Sequence, residues 1–159
     1  MINKGISVEN ARSFLCVPGD RIDRLQKALE SHAHFVIADL EDAVLPKNKV
    51  AARDLLLREW SRLDHTARAR TMVRINGADT SWHDDDLLVV EQLARAGLPA
   101  VMIAKAESVA PMLAVTRRAP VTAILPLIES ATGVRAIDVL ARIPKVSRLA
   151  FGHLDMRQS

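Results

Sequence analysis

Cysteine is almost missing from this 159-residue chain, with Cys16 the only one. That excludes an intrachain disulfide and a cysteine-based zinc site, and it fits a reducing compartment. Aromatic residues are scarce at 3%, too few for a base-stacking surface. A large charge of one sign is lacking as well. Lys and Arg number 22 against 19 Asp and Glu, a net charge of +3. The arginines are spread along the chain, so nothing demands nucleic acid. The longest apolar runs, 98–104 and 121–128, fall far short of the ~20 residues of a membrane span. The polar first 13 residues lack the apolar stretch of a secretory signal. The expected setting is cytoplasmic, with neither membrane nor nucleic acid as partner. No GxGxxG or GxxxxGK phosphate loop is present.

What is there is the composition of a folded globular chain, 49% apolar and 26% charged. The length argues for one domain over 1–159. Short apolar runs alternate with amphipathic stretches from end to end. Strands are expected at 13–17, 35–39, 71–76, 100–104, 121–125 and 147–151. Five helices are expected between them. Asp20 is placed to cap the first, Pro46 to open the second, Gly97 to stop the third, and the last to run over about 131–142. Strand starts recur every ~20–35 residues, the size of a βαβ unit. The strands are continuous apolar runs, as in a parallel sheet buried on both faces. An open doubly wound sheet and a (β/α)8 barrel both fit this pattern; the length favours the open sheet, since a barrel ordinarily takes about 250 residues.

In either architecture the functional edge is the carboxyl end of the strands. Strand two ends Asp39-Leu40-Glu41-Asp42, strand three carries Arg74, strand four runs into Lys105 and Glu107, strand five into Glu129, and strand six into His153 and Asp155. Glu129 and Asp155 lie beyond neighbouring strands and can meet. Two carboxylates plus waters suit Mg²⁺, which dehydrates reluctantly; the plainer reading of Glu129 is a helix-start residue facing the macrodipole. Arg74 is either the ion-pair partner of the Asp39–Asp42 cluster or a clamp for a ligand carboxylate. Arg21, Arg24 and Lys27 follow the Pro18-Gly19 turn and are either phosphate contacts or solvated surface. The run from His83 to Asp86 reads as a helix start with acids in its first turn.

Arg12-Ser-Phe-Leu-Cys-Val-Pro-Gly-Asp20, Asp39-Leu-Glu-Asp-Ala-Val44, Val73-Arg-Ile-Asn-Gly77, Lys105-Ala-Glu-Ser108, Leu127-Ile-Glu129 and Phe151-Gly-His-Leu-Asp155 together resemble the citrate lyase β-subunit-like branch of the HpcH/HpaI aldolases. The resemblance implies a (β/α)8 barrel, expected here to be incomplete, with about six βα units and truncated at its C-terminal side. It implies a Mg²⁺-dependent carbon–carbon lyase acting on a 3-hydroxy acyl thioester of citryl, malyl or citramalyl type, with a 2-keto acid as one product. Arg74 matches the arginine that grips the keto acid. Glu129 and Asp155 match the two Mg²⁺ ligands, with Glu129 also beside the substrate. Arg21, Arg24 and Lys27 lie where relatives contact coenzyme A. The usual Gly-Ala-Glu-Asp after strand six reads Gly-His-Leu-Asp at 152–155. A homo-oligomer is expected. The alternative is an inactive, shortened homologue that works by binding a partner.

Overall fold

The computed structural model describes residues 6–152; the metal-ligand expectation for Asp155 lies outside them. Six strands, β1 (Phe14–Pro18), β2 (Phe35–Asp39), β3 (Thr71–Ile75), β4 (Ala100–Ile103), β5 (Ala123–Ile128) and β6 (Ala150–Phe151), form one sheet in sequence order. Every pairing is parallel. Consecutive neighbours, each reached through a crossover, curl the sheet into part of a (β/α) barrel rather than the doubly wound sheet that length alone favours. The crossovers hold α1 (Ile22–Leu29), α2 (Lys49–Trp60), α3 (His65–Ala69), α4 (His83–Arg95), α5 (Val109–Arg118), α6 (Ala131–Arg135) and α7 (Ile137–Leu140).

Alternation along each strand splits the apolar residues between two faces. Ala38, Val73, Ile75, Val101, Ile103, Ile124 and Ile128 point outward into the core beneath the helices, against Leu56, Trp60, Leu93 and Met112. Ile37, Met72, Ala100, Met102, Leu125 and Leu127 fill the concave face. There they meet Val8 and Ala11, from a 3₁₀ turn at Val8–Asn10 that closes the amino-terminal floor. Arg148 pins this turn by donating to the carbonyls of Val8, at 3.3 Å, and Ala11.

Local differences from the expected pattern have physical causes. Asp20 does not cap α1; its carboxylate accepts from Asn48 Nδ2 at 3.0 Å, and Arg21 takes the cap position without a side-chain bond. Asp64 caps an extra short helix, α3, by accepting from the Ala67 N–H at 2.7 Å. The helix expected over 131–142 breaks at Ala136 into α6 and α7. Gly97, at φ +90°, ends α4 as expected.

Strand five continues through Pro126, where the sequence pattern ends it at 125. Its alternate residues Ile124 and Ile128 bond towards β6: Ile124 N donates to Lys145 O, Ile124 O accepts from Ser147 N, and Ile128 O accepts from Gly152 N. Pro126 faces the same way and has no N–H to give. The β5–β6 ladder therefore survives only on either side of it, as a bridge at Val146 and the two-residue β6, where a five-residue strand is expected from sequence.

Candidate functional site

Arg74 sits on the concave face of β3, and the parallel register sets it beside Asp39 of β2. Its Nε and Nη2 donate to the two Asp39 carboxylate oxygens at 2.7 and 2.6 Å. Asp39 is wholly buried, and its oxygens also accept from the backbone N–H groups of Glu41 and Ala43. Burial works against the charge on Arg74, but the bonds and charge of Asp39 more than reverse this and leave its pKa above the ordinary arginine value. The third guanidinium nitrogen, Nη1, lies 3.1 Å from Glu41 Oε2, a buried oxygen with no hydrogen bond of its own. Burial pushes the Glu41 carboxyl up to about 7, against the pull of Arg74.

Glu129, just past β5, is buried and accepts at Oε1 from the Lys105 N–H at 3.0 Å. Lys105 holds a left-handed backbone, φ +48°, a conformation that costs a non-glycine residue about 1–2 kcal/mol. That strain sits at the residue whose N–H meets Glu129. Gly152 crowds the other side: a Cβ there would come within 3.0 Å of Glu129 Cγ and 3.1 Å of Oε2.

Arg74 and Glu129 line one cavity of about 600 Å³ at the carboxyl ends of the strands. Cys16 and Asp42 join them at its polar wall, and Met102, Leu125 and Leu127 form its apolar base. Burial raises the Cys16 thiol pKa, with Arg74 opposing. Arg24 and Lys27 lie elsewhere. They line a groove of about 630 Å³ along the outer side of β1, with Leu15, Ser31 and Cys16. Cys16 alone borders both spaces. Arg21 turns to Asp23 in an exposed ion pair at 2.8 Å.

A buried polar network behind the cavity escaped the sequence reading. Lys49 Nζ donates to the carbonyls of Leu40 and Glu41 and to Asn76 Oδ1, at 2.8–3.0 Å, and lies 4.7 Å from the Trp82 ring centre. Burial lowers its pKa, opposed by Asp86 and Glu41. Asp86 accepts from Asn76 N and Nδ2 and from Arg53 Nη1. Of the acids opening α4, Asp86 is therefore structural and buried rather than a solvated first-turn charge. It lies three, four and seven residues before the buried Val89, Val90 and Leu93, on the apolar stripe of α4, the one signal by which it was recognisable. The network fixes the 40–42 loop that carries Glu41 and Asp42 to the site.

The protein-family model described as HpcH/HpaI aldolase/citrate lyase matches residues 12–159. The chain belongs to this family. A (3S)-malyl-CoA thioesterase of Cereibacter sphaeroides is 34% identical over 145 residues, covering 91% of this chain and 50% of that protein. An L-malyl-CoA/beta-methylmalyl-CoA lyase of the same species is 35% identical over 164 residues, covering 93% and 50%. A citrate lyase β subunit of M. tuberculosis, solved with oxaloacetate and magnesium, superposes with a TM-score of 0.76 at 32% identity, covering 96% of this chain and 63% of that one. The chain spans about half the length of the curated relatives it matches. By their names these relatives are a thioesterase and a lyase of malyl-CoA esters and a citrate lyase subunit. Among the described residues no helix is long and apolar enough to cross a membrane.

The residues present fit magnesium. Glu129 offers a buried carboxylate, a hard oxygen ligand, with Gly152 leaving room beside it. Magnesium keeps several waters and takes one or two carboxylates from the protein, and Glu129 would supply one of them.

Proposed function

We propose that this chain is a Mg²⁺-dependent carbon–carbon lyase acting on a 3-hydroxy acyl thioester of malyl, citramalyl or citryl type. One observation carries the reading: Arg74, clamped from behind by Asp39, and the carboxylate Glu129 open on the same cavity at the carboxyl ends of the strands.

Arg74 holds the substrate carboxylate, and its charge stabilises the oxyanion that develops beside it. Asp39 fixes the guanidinium plane, so little reorganisation is needed on binding. Glu129, with Asp155, would hold the ion. Magnesium, when bound, supplies Lewis-acid polarisation of the substrate oxygens. A base takes the hydroxyl proton, the bond between the hydroxyl-bearing carbon and the thioester α-carbon breaks, and its electrons pass to the thioester as an enolate. The products are a 2-keto acid and, once the enolate takes a proton, an acetyl or related acyl thioester. The apolar base of Met102, Leu125 and Leu127 keeps water from that enolate. Arg24 and Lys27, in the groove along β1, face the phosphates of the thioester's carrier, and Arg21 joins them by leaving Asp23. An exposed pair of that kind is worth little.

A second reading, thioester hydrolysis, is favoured by the likeness to the (3S)-malyl-CoA thioesterase. A third is a subunit that acts by association. It is favoured by the outer strands, since among the described residues β1 pairs only with β2 and β6 only with β5, and Leu15 and Phe151 stand exposed there. The chain is incubated with malyl-CoA and Mg²⁺, and 2-keto acid and free thiol are assayed separately, with light scattering on the same sample. Keto acid without thiol is the expected result. Thiol without keto acid selects hydrolysis, and neither product from a self-associated chain selects the third reading.

A further inference from the structure

Two carboxylates face the Arg74 guanidinium, a third lines the same cavity, and they are not equivalent. Asp39 accepts four hydrogen bonds, two from Arg74 and two from backbone N–H groups. Two N–H groups meet each of its oxygens, so both are fully engaged. Asp42 stands at the cavity wall. Glu41 is different. Its residue is buried, its Oε2 has no hydrogen bond, and that oxygen lies 3.1 Å from the one guanidinium nitrogen Asp39 leaves over. Arg74 Nη1 is thus the edge available to a ligand carboxylate, and Glu41 already lies within its reach.

Resting on the reading of Arg74 as the carboxylate grip, we propose that Glu41 takes up a proton when a keto acid binds, so that ligand binding at Arg74 and protonation of Glu41 are one coupled event. A ligand carboxylate at Nη1 adds a further negative group around a single cation. The charged groups facing Glu41 are Asp39 at the end of β2, Asp42 from its own loop, Arg74 from β3 and Lys49 from α2, whose Nζ is bonded to the Glu41 carbonyl. Arg74 and the Asp42 backbone N–H favour the ionised form, and the Asp42 side chain favours the neutral one. Lys49 is spent on two carbonyls and Asn76. The free protein already leans towards the proton, since burial pushes Glu41 up to about 7. The proton comes from solvent, one per ligand, and lands on a carboxylate whose Oε2 faces Arg74 Nη1 at 3.1 Å without a formed hydrogen bond. Glu41 then presents an O–H to the bound carboxylate in place of a second negative charge. Linkage makes the effect reciprocal: a ligand that raises the Glu41 pKa binds more weakly as pH climbs above about 7, by at most about tenfold per unit.

Pyruvate is titrated calorimetrically into the protein at saturating Mg²⁺, in buffers of different ionisation enthalpy, near pH 6 and near pH 8. The wild type is expected to take up close to one proton near pH 8 and almost none near pH 6, following a group that titrates about 7. Glu41→Gln is expected to bind pyruvate with no uptake and with an affinity flat in pH. Binding without uptake near pH 8, or uptake that persists in Glu41→Gln, overturns the proposal and leaves the grip by Arg74 standing. Pyruvate affinity unchanged in Arg74→Met overturns the grip itself, and the proposal with it. Should Glu41→Gln not fold, difference infrared spectroscopy of the wild type decides: a protonated-carboxyl band must appear on pyruvate binding near pH 8, and its absence overturns the proposal.

Discussion

Arg74 and Asp39 face each other across neighbouring parallel strands through two hydrogen bonds of 2.6 and 2.7 Å, with Asp39 wholly buried and the Arg74 side chain 14% exposed. Such a pair is costly to break from one side, because the surviving charge is left buried. Asp39→Asn should destabilise the fold by about 3–5 kcal/mol, read as a drop in the urea midpoint. Arg74→Lys keeps the charge but loses the planar fork. It should lower keto-acid affinity with less loss of stability than Asp39→Asn.

The Glu41 carboxyl sets a pH dependence of stability. Its ordinary value is 4.5, and burial raises it to about 7 in the folded protein. Between those values the folded state holds a proton that the unfolded chain has released. The contribution of this group is therefore complete below about 4.5 and is lost as pH rises towards 7. The urea midpoint should fall from about pH 5 to about pH 8, and Glu41→Gln should remove that part of the fall. A variant whose profile matches the parent would contradict the assignment.

The metal reading predicts a weakened ion in two different ways. Glu129→Gln and Asp155→Asn each remove one anionic ligand, and calorimetry with MgCl₂ should show much weaker binding than the parent. Gly152→Ala leaves both carboxylates but brings a methyl group within 3.0 Å of Glu129 Cγ. It should weaken Mg²⁺ binding while changing the thermal midpoint little, since the carboxylate yields by a few tenths of an ångström. Unchanged affinity in Gly152→Ala would place the ion away from Glu129.

Lys49 holds the 40–42 loop from the helix side. Lys49→Met should strand Asn76 Oδ1, at a cost of about 1–3 kcal/mol for a buried group left without a partner, while the Leu40 and Glu41 carbonyls keep Asn76 Nδ2 and the Val44 N–H. The catalytic loss should exceed what stability alone predicts, because Glu41 and Asp42 ride on that loop. Comparing keto-acid affinity with the unfolding midpoint separates the two effects.

The strands were legible because parallel strands buried on both faces must be apolar throughout. Phe35–Asp39 matches its expected bounds for that reason. The β5 end was not legible, because Pro126 reads as a strand stop in sequence and only the direction of its missing N–H makes it tolerable. Arg74 and Glu129 were readable as strand-end charges that open on one cavity. The distinction between Asp39 and Glu41 was not, since two carboxylates two residues apart look alike until four hydrogen bonds are counted on one and an empty oxygen is found on the other. Lys49 and Arg53 share one face of α2, but Asp86 lies on α4 and Asn76 beyond β3, and no local spacing joins the two helices. Curling into a barrel was likewise invisible to periodicity, which describes each strand and not the order in which they meet.

Arg148 joins two carbonyls that lie 140 and 137 residues before it in sequence. Nearly the whole described chain is the loop that this one side chain closes, and the entropy of closing it must be met before the contact returns anything. The floor of the concave face is therefore a late event in folding, sealed after the strands have found their order. In the mature protein the same seam is the place to start opening. Amide exchange at Val8–Asn10 should outpace exchange in β2 and β3, and loss of the Arg148 guanidinium should speed it further without moving the strands.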